Sequence, residues 1–224
     1  MTPSYKKLIF VLVIAVALTA AILVRQLSLS KKISVEKSER PLVEESSVMI
    51  PIDVNDPMLG NQGAPMTIVE FADLNSAEGR LIHKKIARFV EAHPAQLRLI
   101  YKDFPQIGFF TSTDHLKPHQ AAFCAYKQDI KKFWQFLDSL ISAGNDIDED
   151  KTIYGAVEQL KLNSSTLKIC LASSEAKTRV DASISLAKSL GLTEAPGIFV
   201  NNRRVNYVTE IDLDAFLAEL IKTY

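Results

Sequence analysis

Few side chains in this sequence have chemistry to offer, and their spacing narrows what that chemistry can be. Cys124 and Cys170 are its two cysteines, with 45 residues between them. A dithiol tuned for exchange needs close spacing at a helix start, and neither cysteine has such a motif around it. From the residues alone they are either a disulfide or two buried thiols packed as small apolar groups, depending on compartment. His115 and His119 have the i, i+4 spacing of helical metal ligands, but Pro118 between them interrupts a continuous helix. With His83 and His93 they gain no cysteine or carboxylate that completes a ligand set, so no metal and no cofactor is expected. Asn75 or Ser76 can cap a helix, and Asn75 with Glu78 three residues later resembles a capping box. His83 lies seven residues beyond Ser76, about 10 Å along a helix, too far to activate that hydroxyl as a base. Glu70 and Asp73 read as buried, hydrogen-bonded carboxylates, and Trp134 with its neighbouring phenylalanines as core.

The elements that must position these residues follow from periodicity. Residues 51–65 are turn-rich, broken by Asp56-Pro57, Gly60-Asn61 and Gly63. Met66 to Phe71 is a short β-branched apolar run of buried-strand type. Leu81, Ile82, Ile86, Phe89 and Val90 then recur at helical spacing until His93-Pro94. Leu97 to Phe104 reads as a second strand, and strand, helix, strand implies a parallel pair joined by a right-handed crossover. From Pro118 to Leu190 the pattern is helical. Gly197 to Val200 and Arg203 to Tyr207 return to strand, joined by Asn201-Asn202, which tolerates the positive φ of a tight hairpin. Ile211 to Tyr224 closes the chain as an amphipathic helix.

Charge and hydropathy set the surroundings. The 224 residues hold 26 cations and 26 anions, but residues 1–40 carry seven cations against Glu36 and Glu39, leaving 19 against 24 in residues 41–224. A body of that sign, without a local basic stripe, excludes nucleic acid as an expected partner. Leu8 to Val24 is an uncharged apolar run of 17 residues behind Lys6 and Lys7. As a helix it reaches about 25 Å, between signal-peptide and membrane-span lengths. We read residues 1–25 as an uncleaved membrane anchor, with cleavage after Ala21 as the alternative, and the following chain as exported. Residues 26–52, rich in Ser, Glu and Lys, read as a flexible stem, and residues 53–224 as a folded domain with a helical insert at about 116–190.

Asn55-Asp56-Pro57-Met58-Leu59-Gly60-Asn61, Ala64-Pro65 and Thr67-Ile68-Val69-Glu70-Phe71-Ala72-Asp73 resemble the DsbA-like thioredoxin family. Tyr101-Lys102-Asp103-Phe104-Pro105, Phe133-Trp134, Leu190-Gly191-Leu192, Ala195-Pro196 and Phe199-Val200-Asn201-Asn202-Arg203 extend the likeness over residues 53 to 222. The resemblance implies an α/β, thioredoxin-like fold with an inserted helical subdomain, behind an N-terminal transmembrane helix. It implies a bacterial, extracytoplasmic protein held to the cell membrane by one span. It also implies a structural disulfide between Cys124 and Cys170, and a cis-proline at Pro196 facing the active-site helix. The family's activity resides in Cys-x-x-Cys at the start of the first helix. Here those positions are Ser76-Ala77-Glu78-Gly79. A hydroxyl and a hydrogen cannot form a disulfide or a mixed disulfide, so this locus is not a dithiol oxidoreductase site. The expected function is non-catalytic binding of an extended polypeptide or partner protein near Ser76, Ala195 and Pro196. Two enzyme readings stand beside it: thiol-disulfide exchange through Cys124 and Cys170, and a glutathione-dependent transferase using Ser76, as in the fold-related kappa class.

Overall fold

The computed structural model describes residues 3–38, 43–106, 113–206 and 210–222. The chain divides into two units, Met1–Pro41 and Leu42–Tyr224. The first contains one helix, α1 (Pro3–Ser38). Within it Ile9–Ser28 has mean hydropathy 2.4, which makes it long and apolar enough to cross a membrane. Thr19 and Ser28 return their hydroxyl protons to the carbonyls of Val16 and Val24, so neither polar group needs water. The stem expected from residue 26 onward is therefore helical as far as Ser38. No glycine or proline falls between Pro3 and Pro41, and Leu, Lys, Gln and Glu sustain the helix once it has started.

The second unit is built on a six-stranded sheet. Its elements are β1 (Val43–Ser47), β2 (Met58–Gly60), β3 (Met66–Ala72), α2 (Ala77–Ala92), β4 (Leu97–Asp103), five helices, β5 (Gly197–Val200), β6 (Arg203–Val205) and α8 (Glu210–Leu220). The five helices are α3 (Lys117–Gln128), α4 (Phe133–Ser142), α5 (Asp150–Gln159), α6 (Ser164–Ala172) and α7 (Ser174–Ser189). Strand order is β1-β6-β5-β3-β4-β2. β3 and β4 are parallel, as the crossover requires, and every other pair is antiparallel. Asn201 and Asn202 take φ of 47° and 67° in the β5–β6 turn. Tyr207, the expected end of β6, and Tyr224 lie outside the described residues.

Two strands were not expected. β1 is Val-Glu-Glu-Ser-Ser, too polar to show alternation, and it pairs only with β6 at one margin of the sheet. β2 has three residues and pairs only with β4 at the other. Margins of sheets favour short or charged strands, so sequence patterns are weakest there.

The sheet buries apolar side chains on both faces. Met66 and Ile68 pack with Ile82, Ile86 and Val90 of α2 and with Leu213, Phe216 and Leu217 of α8. Val69, Phe71, Ile100 and Phe199 pack with Val180, Ile184 and Ala187 of α7. A third cluster, including Phe133, Phe136, Leu140, Ile153, Val157 and Leu167, forms the core of the helical insert. Buried Asp56 binds Lys102 of β4 at 2.6 Å and also Arg179 of α7, which ties residues 53–57 to sheet and insert together. The insert and the sheet thus meet over the ends of β3 and β4, where α2 begins.

Candidate functional site at the start of α2

The turn from β3 into α2 is made by one carboxylate. Asp73 accepts the amide of Asn75 on Oδ1 (2.9 Å) and that of Gln106 on Oδ2 (3.1 Å), while its carbonyl accepts the amide of Ser76 (3.2 Å). Those bonds pull the chain out of the sheet and deliver Ser76 to the helix start in extended conformation, φ −79° and ψ 127°. Ser76 is the N-cap: its Oγ accepts from the Gly79 amide at 3.1 Å. The capping box expected of Asn75 is not formed, because Ser76 is the N-cap and Asn75 stands one residue ahead of it, its Nδ2 donating to the carbonyl of His115 at 2.8 Å. Ala77 and Glu78 are exposed in the first turn, where a carboxylate favours the helix dipole. Gly79 is buried, and a Cβ there would lie 2.5 Å from the Asp73 carbonyl oxygen.

The second expected part of the site stands alongside. β5 runs antiparallel to β3 with Gly197 opposite Phe71, so Pro196 follows the register to a place beside Ala72. The Ala195–Pro196 bond is cis, and both residues are half-buried. The register therefore puts Ala195 and Pro196 at the C-terminal end of β3, four residues before the N-cap Ser76. Cys124 and Cys170 belong elsewhere, bonded to one another with Cα atoms 5.8 Å apart, and they join α3 to α6. His93 bonds the carbonyl of Phe89 within its own helix. Among the described residues no group of three or more His, Cys, Asp or Glu side chains is placed to hold a metal.

Beneath this surface lies a set of buried polar residues that periodicity alone did not single out. Arg80 Nη1 donates to the carbonyls of Leu74 and Asn75, both at 3.0 Å, pinning the segment ahead of α2 from inside. His83 Nδ1 lies 2.8 Å from Glu70 Oε2, and its ring stacks on Trp134. His119, fully buried on α3, lies between two carboxylates. Its Nδ1 is 2.7 Å from Asp103 Oδ1, its Nε2 is 3.7 Å from Asp73 Oδ1, and Nε2 also accepts the Leu74 amide at 3.2 Å. The available signal was position: His119, Ala122 and Tyr126 share the buried stripe of α3, where a histidine needs partners.

These groups perturb one another. Burial opposes charge on His119, but the hydrogen bond to Asp103 and the negative charges of Asp103 and Asp73 outweigh it and raise the ring to about 8. Burial likewise works to raise Asp73, yet His119 and the amides of Asn75 and Gln106 hold its carboxyl below the ordinary value. Burial, then the charges of Asp103, Glu70 and Asp73, push the Tyr101 hydroxyl well above its usual range, so it stays neutral. The raised His119 stabilises the fold fully below about pH 6.5, and that contribution is lost as pH rises through about 8. The lowered Asp73 acts in the opposite window, stabilising above its ordinary 3.8 and losing the effect as pH falls through its folded value. Denaturant unfolding should thus give a free energy about 2 kcal/mol lower at pH 9 than at pH 5.5. The His119→Gln variant should lack this drop, and a flat wild-type profile would contradict the assignment.

A six-stranded mixed sheet, a cis-proline beside the first crossover helix and a helical insert define a thioredoxin-like fold with DsbA-like elaboration. A family model described as Thioredoxin matches residues 53–219, and the chain belongs to that family. Disulfide bond formation protein D of Bacillus subtilis is 24% identical over 165 residues, covering 70% of this chain and 72% of the relative. Among solved structures, the thiol-disulfide exchange protein alpha-DsbA2 of Wolbachia pipientis superposes with a TM-score of 0.63 at 19% identity, covering 75% of this chain and 88% of that one. Oxidised BdbD of Bacillus subtilis gives a TM-score of 0.62 at 18% identity, covering 75% and 94%. At these identities the structural likeness shows the fold.

Proposed function

We propose that this chain is a membrane-tethered, extracytoplasmic DsbA-like protein that binds an extended polypeptide without exchanging disulfides at residues 76–79. One observation carries the reading: the helix start has oxygen at Ser76 and hydrogen at Gly79, while the frame around it is kept. Ala195 and Pro196 are half-buried, Ala77 and Glu78 are exposed, and Leu81 one turn on is 40% exposed, which leaves accessible surface for an extended chain. The apolar stretch Ile9–Ser28 supplies the tether, and the family resemblance supports export. The disulfide keeps a second reading, exchange through Cys124 and Cys170, because Cys170 is half-buried where Cys124 is fully buried.

The binding test is a titration of the isotopically labelled full chain, in detergent micelles, with carboxymethylated insulin B chain, whose cysteines are blocked. Amide signals of residues 73–79 and 195–197 should move together and saturate. Signals that stay fixed up to the solubility limit of the B chain would remove the binding reading.

A further inference from the structure

His119 is a fully buried histidine that polypeptide capture does not itself require. Its two ring nitrogens meet different kinds of partner. Asp103 faces Nδ1 and accepts a hydrogen bond from it, whereas the Leu74 amide donates to Nε2. A ring nitrogen that accepts a hydrogen bond carries no proton, so this arrangement belongs to the neutral imidazole. A second proton would turn Nε2 into a donor, and two donors cannot face each other. The nearest alternative acceptor is Asp73 Oδ1, at 3.7 Å about half an ångström beyond hydrogen-bond range.

Both rivals for Nε2 belong to the four residues that lead into α2. Asp73 Oδ1 already holds the Asn75 amide, and the carbonyls of Leu74 and Asn75 are held by Arg80. The structure has Leu74 on the ring, and exchanging that amide for Asp73 Oδ1 would give the segment a second, discrete arrangement. We infer that His119 is the positioning residue of segment Asp73–Ser76, and that gain or loss of its second proton switches the polypeptide-binding face between two arrangements. The consequence for binding rests on the function proposed above; the switch itself does not.

The groups around the ring fix where the switch operates. Asp73 and Asp103 face it from the ends of β3 and β4, and Tyr101 lies beside Asp103 as a neutral hydroxyl. Arg80 of α2 bonds the Leu74 and Asn75 carbonyls and Asn145 Oδ1, and His115 contributes its carbonyl, to Asn75. Arg179 of α7, with Tyr126, Tyr101 and Asp103, lines a cavity of about 10 Å³, close to the space one water needs. That cavity shares Asn55, Phe123, Tyr126 and Arg179 with an open hollow of about 460 Å³. The two carboxylates outweigh burial and set the transition near pH 8, with the charged ring below it. The neutral arrangement, in which Asp73 Oδ1 keeps Asn75 and Ser76 caps α2, is the binding form.

The test follows the His119 ring nitrogens and the Leu74 amide by NMR in the full chain in detergent, from pH 5.5 to 9.5. Both should titrate with one midpoint. The dissociation constant for carboxymethylated insulin B chain should weaken about tenfold per pH unit below that midpoint, as the neutral fraction falls. In His119→Gln, whose side-chain oxygen can accept from Leu74 at any pH, binding should stay at its high-pH level throughout. A Leu74 amide that stays flat while His119 titrates would overturn the switch, and so would B-chain binding with the same pH profile in wild type and His119→Gln. Should the variant not fold, the wild-type titration alone decides. Joint titration without B-chain binding at any pH would uphold the switch and remove the polypeptide-binding reading.

Discussion

Replacing Cys124 and Cys170 together by serine should lower the unfolding free energy by about 4 kcal/mol, from the loop-closure entropy returned to the unfolded chain. The two residues are 46 apart in sequence, and their bond joins α3 to α6 in the insert that packs over the site. Cys124 is fully buried, so serine would also place a hydroxyl where a small apolar group was packed. Against a net stability of about 5–15 kcal/mol the loss would be a large share of the whole. Guanidinium unfolding of the wild type with and without dithiothreitol reads the same quantity without mutation. Coincident midpoints in the two conditions would show that the bond contributes nothing.

The second large effect concerns restoring the missing thiols. Ser76→Cys keeps the backbone and places sulfur at the N-cap, where the α2 amides lower a thiol's pKa below about 8.5 while Glu78 opposes them. Gly79→Cys does not have that freedom. Its Cβ would lie 2.5 Å from the Asp73 carbonyl oxygen, a backbone atom already accepting from the Ser76 amide. The segment must move, at a cost of about 3 kcal/mol. The double variant should therefore be markedly less stable than Ser76→Cys alone, although only one methylene thiol separates them. Equal unfolding midpoints for the two would show that the backbone still accommodates a second cysteine. On this account the loss of the dithiol is written into the chain path as well as the side chains.

The parts of this molecule legible in its sequence are those with strong local signals. β3, α2 and β4 followed from apolar periodicity and the break at His93-Pro94, and the β5–β6 turn from Asn201-Asn202. The helix start at residues 76–79 was placed by the quoted resemblance, as were the cis bond at Pro196 and the Cys124–Cys170 pairing. What escaped is non-local. β1 and β2 exist because β6 and β4 have open margins, which no pattern within Val43–Ser47 or Met58–Gly60 reveals. Asn75 stands one residue ahead of the N-cap, Ser76, and its side chain is bonded instead to the carbonyl of His115, 40 residues away. His119 was read only as a failed metal ligand, since its partners Asp73, Leu74 and Asp103 reach it through the crossover and the insert. Helix α1 ran past residue 26 because composition alone does not mark where a helix with no breaker stops.

The central claim is that this chain holds a polypeptide without exchanging an electron pair with it. Its most direct measurement is mass spectrometry of a reduced two-cysteine peptide incubated with the oxidised full chain and with the Cys124→Ser, Cys170→Ser variant. The account predicts a peptide that keeps both thiol hydrogens in each mixture, while the amide signals of residues 73–79 still respond to it. Oxidation of the peptide by wild type that vanishes in the variant would contradict the account, and would make the disulfide of the insert the working redox centre.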